Sequence, residues 1–356
     1  MFELFEADKS NKDLQALGEE RIKRGEVAVL LLAGGQGTRL ASQYLSKGLC
    51  PIGSFSHKTL FALFAEKVKA ASRKWGCPLQ AAIMTSPLND AVVRIHFEEN
   101  HYFGLSKEQI SFFQQTLLPF LDINGEELPE KGPSGNGLAL YYLFASNIGK
   151  RWRESGIKYF TTVLVDNPLA DPFSSDLIGF HGEGDLSALV TQRRDLSEKV
   201  GIYIKEGGRV RVCEYMEFPE SEWPLHTTAN LSHFCFSLDF AEEECNKPLP
   251  LHYLKKEGVI KREYFIIDFV ERSTHFKALD CSRCWVFAPL KSSGENDNIE
   301  SVKQALQKRD RLQWQKLFCV DVENIFFELS PRFYYPDIEL LAFYKGQKPP
   351  NNSYVE

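Results

Sequence analysis

The sequence predicts an α/β fold built on a mainly parallel sheet. Short apolar runs of strand length recur along the first half of the chain: Val27–Leu32, Leu79–Thr85, Gln109–Gln115 and Tyr159–Val165. Stretches of helical periodicity separate them. Thr59–Trp75 places Leu60, Leu63, Phe64 and Val68 on one face, and Pro87–Glu99 opens with a proline. Alternating strands and helices are the pattern of a parallel sheet. Glycine or polar residues stand where the runs end, at Gly34, Gln115 and Asp166. Ligands of such sheets bind beyond the carboxyl ends of the strands, so these three residues mark the predicted site.

The other elements follow in order. Residues 1–25 are charged and read as helical, with Leu14, Leu17 and Ile22 near helical spacing. Asn124-Gly125 between Leu121–Ile123 and Glu126–Leu128 predicts a hairpin. Gly137–Ile148 reads as a helix. The pattern changes after residue 185. Val200–Ile204 and Val210–Cys213 flank Gly207-Gly208 as a second hairpin, and Asn230–Ser237 reads as a strand. Glu263–Ser273 and the polar Asn298–Lys308 read as helices. A mixed tail ends in a Lys-Pro-Pro-Asn-Asn stretch expected to fray. The expected division is an N-terminal helical extension (1–26), a core (27–297) and a small C-terminal domain (298–356).

Composition limits the partners. With 356 residues and 43% hydrophobic content, the chain can bury a large core and a smaller appended unit. A net charge of −6 argues against a broad nucleic-acid surface. No apolar run approaches membrane-spanning length; the longest near the start is Val27–Ala33. The acidic N-terminus lacks a signal-peptide pattern, so a cytoplasmic location is the default expectation. The eight cysteines are scattered and read as reduced core residues. Cys281-Ser-Arg-Cys284 has zinc or redox spacing, but no second pair has suitable spacing. The eight histidines form no nucleophile pattern, and His233 reads as a core or lining residue.

The first strand runs into Leu-Ala-Gly-Gly-Gln-Gly-Thr-Arg-Leu, residues 32–40. Gly34, Gly35 and Gly37 let the backbone bend and approach a ligand. Successive N–H groups of such a turn form an anion-binding concavity, and Arg39 and Lys47 add full positive charge where a triphosphate would lie. The phosphate-binding string Gly-x-x-x-x-Gly-Lys-Ser/Thr is absent, and Leu40 stands where a dinucleotide fingerprint needs its third glycine.

This string resembles the nucleotidyltransferases that make sugar nucleotides from a sugar 1-phosphate and a nucleoside triphosphate. It is most similar to the eukaryotic-type UDP-N-acetylhexosamine pyrophosphorylases. Lys58-Thr-Leu-Phe61, Met84-Thr-Ser86, Tyr102-Phe-Gly-Leu105, Phe112-Phe-Gln-Gln115, Pro133-Ser-Gly-Asn-Gly137, Val165-Asp-Asn167, Glu214-Tyr215 and Pro289-Leu-Lys291 also match, in family order. The chain departs from the pattern at Ser46, where a proline is usual, at Ser134 for an acidic residue, and at Leu138 and Ala229 for glycines. Its termini and the loop between Gln115 and Asn136 are shorter than in the family.

The resemblance implies a Rossmann-like nucleotidyltransferase core that joins UTP to N-acetylglucosamine 1-phosphate, with Mg2+. Ala33, Gly34, Gly35, Gln115 and Gly135 would bind the nucleotide, with Gln115 reading uracil; a solvated strand end is the alternative for it. Arg39 and Lys47 would hold the triphosphate and Lys291 the sugar phosphate. Asp166 would hold the metal, or else form a turn before Pro168. Asn136, Gly201, Glu214 and Asn230 would meet the sugar; a helix cap, a hairpin glycine, a surface carboxylate and a strand-edge amide are their alternatives. Partners would be small molecules only, the protein a monomer or weak homo-oligomer. UDP-glucose synthesis and non-catalytic UDP-sugar binding are the alternative functions.

Overall fold

Val27–Leu32 is apolar at every position because both of its faces are covered. Val27, Val29 and Leu31 pack into one core with Phe61, Phe64 and Val68. Ala28, Leu30 and Leu32 pack into another with Leu140, Leu143, Phe160 and Phe236. Strand residues alternate between faces, so two cores on one strand mean three layers. The computed structural model describes residues 4–6, 12–35, 44–195, 198–214, 217, 221, 227–256, 258–291 and 296–356.

The main sheet runs in the order Leu4–Glu6, Lys277–Asp280, Leu186–Gln192, Thr228–Ser237, Tyr159–Leu164, Val27–Leu32, Ala81–Thr85, Ile110–Gln114. Thr228–Ser237 is antiparallel to both of its neighbours, and the other pairings along this order are parallel. The hairpin Ile202–Glu206 and Arg209–Cys213 joins it through Ala229. A second, antiparallel sheet carries His252–Lys256, Val259–Glu263, Leu117–Leu121 and Glu127–Pro133 in that order. The turn between Leu117–Leu121 and Glu127–Pro133 is made by Asp122, whose carboxylate accepts from the N–H groups of Asn124 (2.8 Å) and Glu126 (2.9 Å).

Helix Leu60–Trp75 starts where Thr59 accepts from the Ala62 N–H (3.1 Å) and ends at Gly76 with φ +69°. Several elements depart from the sequence reading. The helix after Ala81–Thr85 begins at Asp90, not Pro87, because the Asn89 side chain accepts from Ser86 N–H (2.9 Å) and closes a turn first. Gly137–Ile148 splits into Ala139–Ala145 and Ile148–Glu154 at Asn147, which takes φ +60°. Glu263–Ser273 is not a helix. Glu263 closes a strand, and the apolar spacing after it resolves into a 3-10 turn, Ile266–Asp268, and one helical turn, Phe269–Arg272.

The chain ends also differ from expectation. Leu4–Glu6 is an edge strand of the main sheet ahead of helix Lys12–Lys23. Helix Ile299–Phe318 runs ten residues beyond the expected Lys308, over a separate core of Trp314, Phe327, Phe333 and Leu340. The last residues are tied down: Ser353–Val355 pairs with Phe327–Leu329. Among the described residues, no helix is long and apolar enough to cross a membrane.

Candidate active site

Gly34, Gln115 and Asp166 meet at the carboxyl edge of the main sheet, lining one cleft of about 370 Å³. That volume suits a small ligand. Gly35, Lys47, Gly135, Asn136 and Lys291 line it as well. Ala33 lies just beneath, its carbonyl accepting from Asn89 Nδ2 (2.9 Å). Arg39 and Gly37 lie outside the described residues.

The glycine turn and the glutamine fit each other. A Cβ on Gly34 would collide with the Gln115 side-chain amide. Gln115 is buried, and its backbone N–H donates to Thr85 O (2.9 Å). Among the described residues its Oε1 has no hydrogen-bond partner. A buried acceptor left unpaired is costly, so the position suits a ligand donor.

Lys47 and Asp166 form an ion pair across the cleft, Nζ to Oδ2 at 2.8 Å, with both side chains mostly buried. Lys47 opens the 3-10 turn Lys47–Leu49, seated where Gly48 leaves no room for a Cβ against the Phe61 ring. Asp166 follows the apolar strand Tyr159–Leu164. Its second oxygen, Oδ1, is buried and unpartnered among the described residues. The segment that carries Lys291 is latched here. Leu290 N–H donates to Asp166 O (2.7 Å), Ala288 N–H donates to Asn167 Oδ1 (3.1 Å), and Asn167 Nδ2 donates to Val286 O (2.8 Å). Lys291 Nζ then reaches Lys199 O (3.4 Å) at the cleft margin.

The Ser134–Gly137 loop is fixed by backbone pairing to Tyr264: Tyr264 N–H donates to Ser134 O and Gly137 N–H to Tyr264 O, both 2.8 Å. Gly135 takes φ +88°, and a Cβ there would strike the Tyr264 carbonyl. Asn136 does cap a turn, but not that of its own helix: its Oδ1 accepts from Ile266 N–H (2.9 Å). The pairing brings Lys261, Glu263 and Phe265 into the cleft lining, which the sequence reading missed. Strand alternation puts Lys261 and Glu263 on one face, but the apolar spacing that follows resembles a helix and hid it. Phe265 is held by His252, ring centroids 4.5 Å apart. The Asp268 carboxylate bonded to His252, with Glu217 behind it, raises that imidazole to about 9.

Gly201, Glu214 and Asn230 are not among the described residues lining the cleft. Asn230 is bonded within its own neighbourhood. Its Oδ1 accepts from Tyr203 OH (2.9 Å) and Ser232 N–H (3.0 Å), and its Nδ2 donates to Ser232 Oγ (3.1 Å). Gly201 O accepts from Asn230 N–H (2.8 Å). Burial raises the Glu214 carboxyl, Glu217 pushes the same way, and Lys291 opposes both. His233 is a core residue, held neutral by burial with its value lowered to about 3. The described cysteines are unpaired by disulfides.

A mainly parallel α/β sheet with this cleft defines a nucleotidyltransferase-like protein. The model of the UTP–glucose-1-phosphate uridylyltransferase family matches residues 6–234. UDP-N-acetylglucosamine pyrophosphorylase of Saccharomyces cerevisiae is 31% identical over 95% of this chain and 80% of its own length. A structure from Entamoeba histolytica, assigned as a UDP-N-acetylglucosamine pyrophosphorylase, superposes with TM-score 0.86 at 25% identity over 99% of this chain and 98% of that one. The Trypanosoma brucei UDP-N-acetylglucosamine pyrophosphorylase shares the fold, with TM-score 0.85 at 24% identity over 100% of this chain and 85% of that one. The chain belongs to the UTP–glucose-1-phosphate uridylyltransferase family and is a nucleotidyltransferase.

Proposed function

We propose that this protein joins UTP and N-acetylglucosamine 1-phosphate to give UDP-N-acetylglucosamine and pyrophosphate. The observation that carries the reading is the cleft itself: a buried Gln115 acceptor, unpaired among the described residues, stands at one strand end, and a Lys47–Asp166 pair at another. Gln115 accepts the uracil N3–H at Oε1 while Gly34 leaves room for the base. Lys47, released from Asp166, neutralises the triphosphate, with Arg39 of the glycine turn. Lys291 holds the phosphate of the sugar. A sugar-phosphate oxygen attacks the α-phosphorus in line, and the bond to the β-phosphate oxygen breaks to release pyrophosphate. Positioning and charge neutralisation carry such a transfer without a covalent intermediate.

Asp166 fits Mg2+. Its unpartnered Oδ1 is a hard oxygen donor, and the described residues offer no group of three His, Cys, Asp or Glu side chains that would build an all-protein cage. Mg2+ characteristically takes one or two carboxylates and completes its shell with phosphate oxygens and water. When bound, it supplies positive charge to the phosphates. Asn136, Gly201, Glu214 and Asn230 form the sugar side, residues 298–356 a small C-terminal unit, and the protein works in the cytoplasm as a monomer or weak homo-oligomer.

UTP–glucose-1-phosphate uridylyl transfer stands as a second reading on one observation. The Asn230 amide is already bonded to Tyr203 and Ser232, so glucose leaves no wholly unpaired donor there. The test is pyrophosphate release from UTP with both sugar 1-phosphates at saturating Mg2+. We expect kcat/KM to favour N-acetylglucosamine 1-phosphate by roughly 5- to 150-fold, the discrimination one buried polar contact gives. Equal efficiencies or a preference for glucose 1-phosphate promote the second reading. No release with either sugar overturns both.

A further inference from the structure

Lys67 lies in the middle of helix Leu60–Trp75, yet it is only 4% exposed. A buried ammonium is costly unless its protons are satisfied. Lys67 Nζ donates to Pro168 O (2.5 Å) and to Ala170 O (2.7 Å), the carbonyls two and four residues beyond Asp166. It also sits 3.9 Å from the Tyr334 ring centroid, a cation–π contact with the C-terminal segment. The Tyr334 hydroxyl donates to the same Pro168 carbonyl (3.3 Å), and the Arg309 guanidinium lies over the same ring at 3.4 Å.

The turn so gripped is short and closed by its own backbone bonds. Asn167 N–H donates to Leu164 O (3.2 Å) and Ala170 N–H to Asn167 O (3.1 Å). Next along the chain, Asp171 accepts from the Tyr335 hydroxyl and from Phe173 N–H (3.0 Å). Burial pushes the Lys67 amine well below its ordinary value and Arg309 pushes the same way, while Asp171 and Asp310 oppose them. A methionine or leucine would fill this helix position without the cost of a buried charge. What the Lys67 Nζ adds is a pair of hydrogen bonds to the backbone that leads out of Asp166.

We propose that Lys67 is a positioning residue: by holding Pro168 O and Ala170 O against Tyr334, it sets the aim of the Asp166 carboxylate into the cleft. The C-terminal segment thereby reaches the turn beyond Asp166 through Lys67 as well as through the Tyr334 and Tyr335 hydroxyls. This inference rests on the reading of Asp166 as the metal-holding carboxylate.

The test uses the full chain, Mn2+ and UTP, with Mn2+ in the ternary complex read from enhanced water proton relaxation and turnover read from pyrophosphate release. Lys67→Met is expected to weaken Mn2+ about tenfold and to lower kcat by a similar factor, as outer-shell changes do. KM for the sugar phosphate stays near the parent's, which a general loosening of the fold would not predict. A folded Lys67→Met with parental Mn2+ affinity overturns the inference. Should Lys67→Met not fold, Tyr334→Phe decides. It keeps the ring and removes one bond to Pro168 O, so Mn2+ binding falls about threefold, the scale of one neutral hydrogen bond; parental affinity overturns the inference. Asp166→Asn is run alongside. Its retention of Mn2+ refutes the metal reading itself, whereas loss in Asp166→Asn with none in Lys67→Met refutes only the positioning role.

Discussion

The two sides of the cleft are built differently. On the nucleotide side, Gly34, Gln115 and Asp166 each follow a parallel strand, and sheet geometry alone aligns them. Gln115 Oε1 and Asp166 Oδ1 are buried there and without a hydrogen-bond partner among the described residues. On the sugar side, Gly201 precedes a hairpin strand and Asn230 sits on the antiparallel strand, with a register shift between Asn230 and His233. There the amide is consumed by Tyr203 and Ser232. The lesson is that strand ends leave functional groups free, while groups within antiparallel pairing are first recruited to hold the fold.

The sharpest break of this comparison is Lys47→Ala. Lys47 sits in a turn, so the fold should survive with some loss of stability from the unpaired Asp166 carboxylate, while kcat falls about 10²–10³-fold, the effect of losing one charge-stabilising donor. Steady-state pyrophosphate release with a thermal melt measures both; near-native turnover removes Lys47 from the mechanism.

Gly34→Ala tests the nucleotide side more narrowly. The new methyl displaces the Gln115 amide. KM for UTP should rise about tenfold, as for one buried hydrogen bond misplaced, with kcat changed much less. Saturation curves in UTP at fixed sugar phosphate decide, and an unchanged KM for UTP separates Gln115 from uracil recognition.

Asn230→Ala sharpens the comparison from the other side, with the smallest kinetic effect. Leaving Tyr203 OH and Ser232 N–H without their acceptor should cost about 1–3 kcal/mol of stability. If the sugar side is first a structural network, denaturant unfolding shows this loss while the ratio of kcat/KM for the two sugar phosphates moves only a fewfold. A large collapse of that ratio with unchanged stability reverses the assignment.

The nucleotide side was legible because its signals are local. An apolar run followed by Gly34-Gly35 or by Asp166 needs no distant partner to be read, and the strand Val27–Leu32 forms over the predicted residues. The sequence misread Glu263–Ser273 for a reason of the same kind. Ile266, Ile267, Phe269 and Val270 keep a helical spacing that a 3-10 turn and one helical turn also satisfy. Only the pairing of Tyr264 with the Ser134–Gly137 loop selects between them.

The sequence by itself determined the alternation of strands and helices, the glycine turn and the residues at the strand ends, because periodicity and steric freedom are properties of a few consecutive residues. Tertiary structure alone decided that Lys47 pairs with Asp166, that Asn136 caps a turn 130 residues away, that Lys261, Glu263 and Phe265 enter the cleft, and that Lys67 joins Pro168 O to the Tyr334 ring. Each of these joins groups far apart in the chain. Burial demands a partner for every polar atom, but only the folded arrangement fixes which partner is within reach.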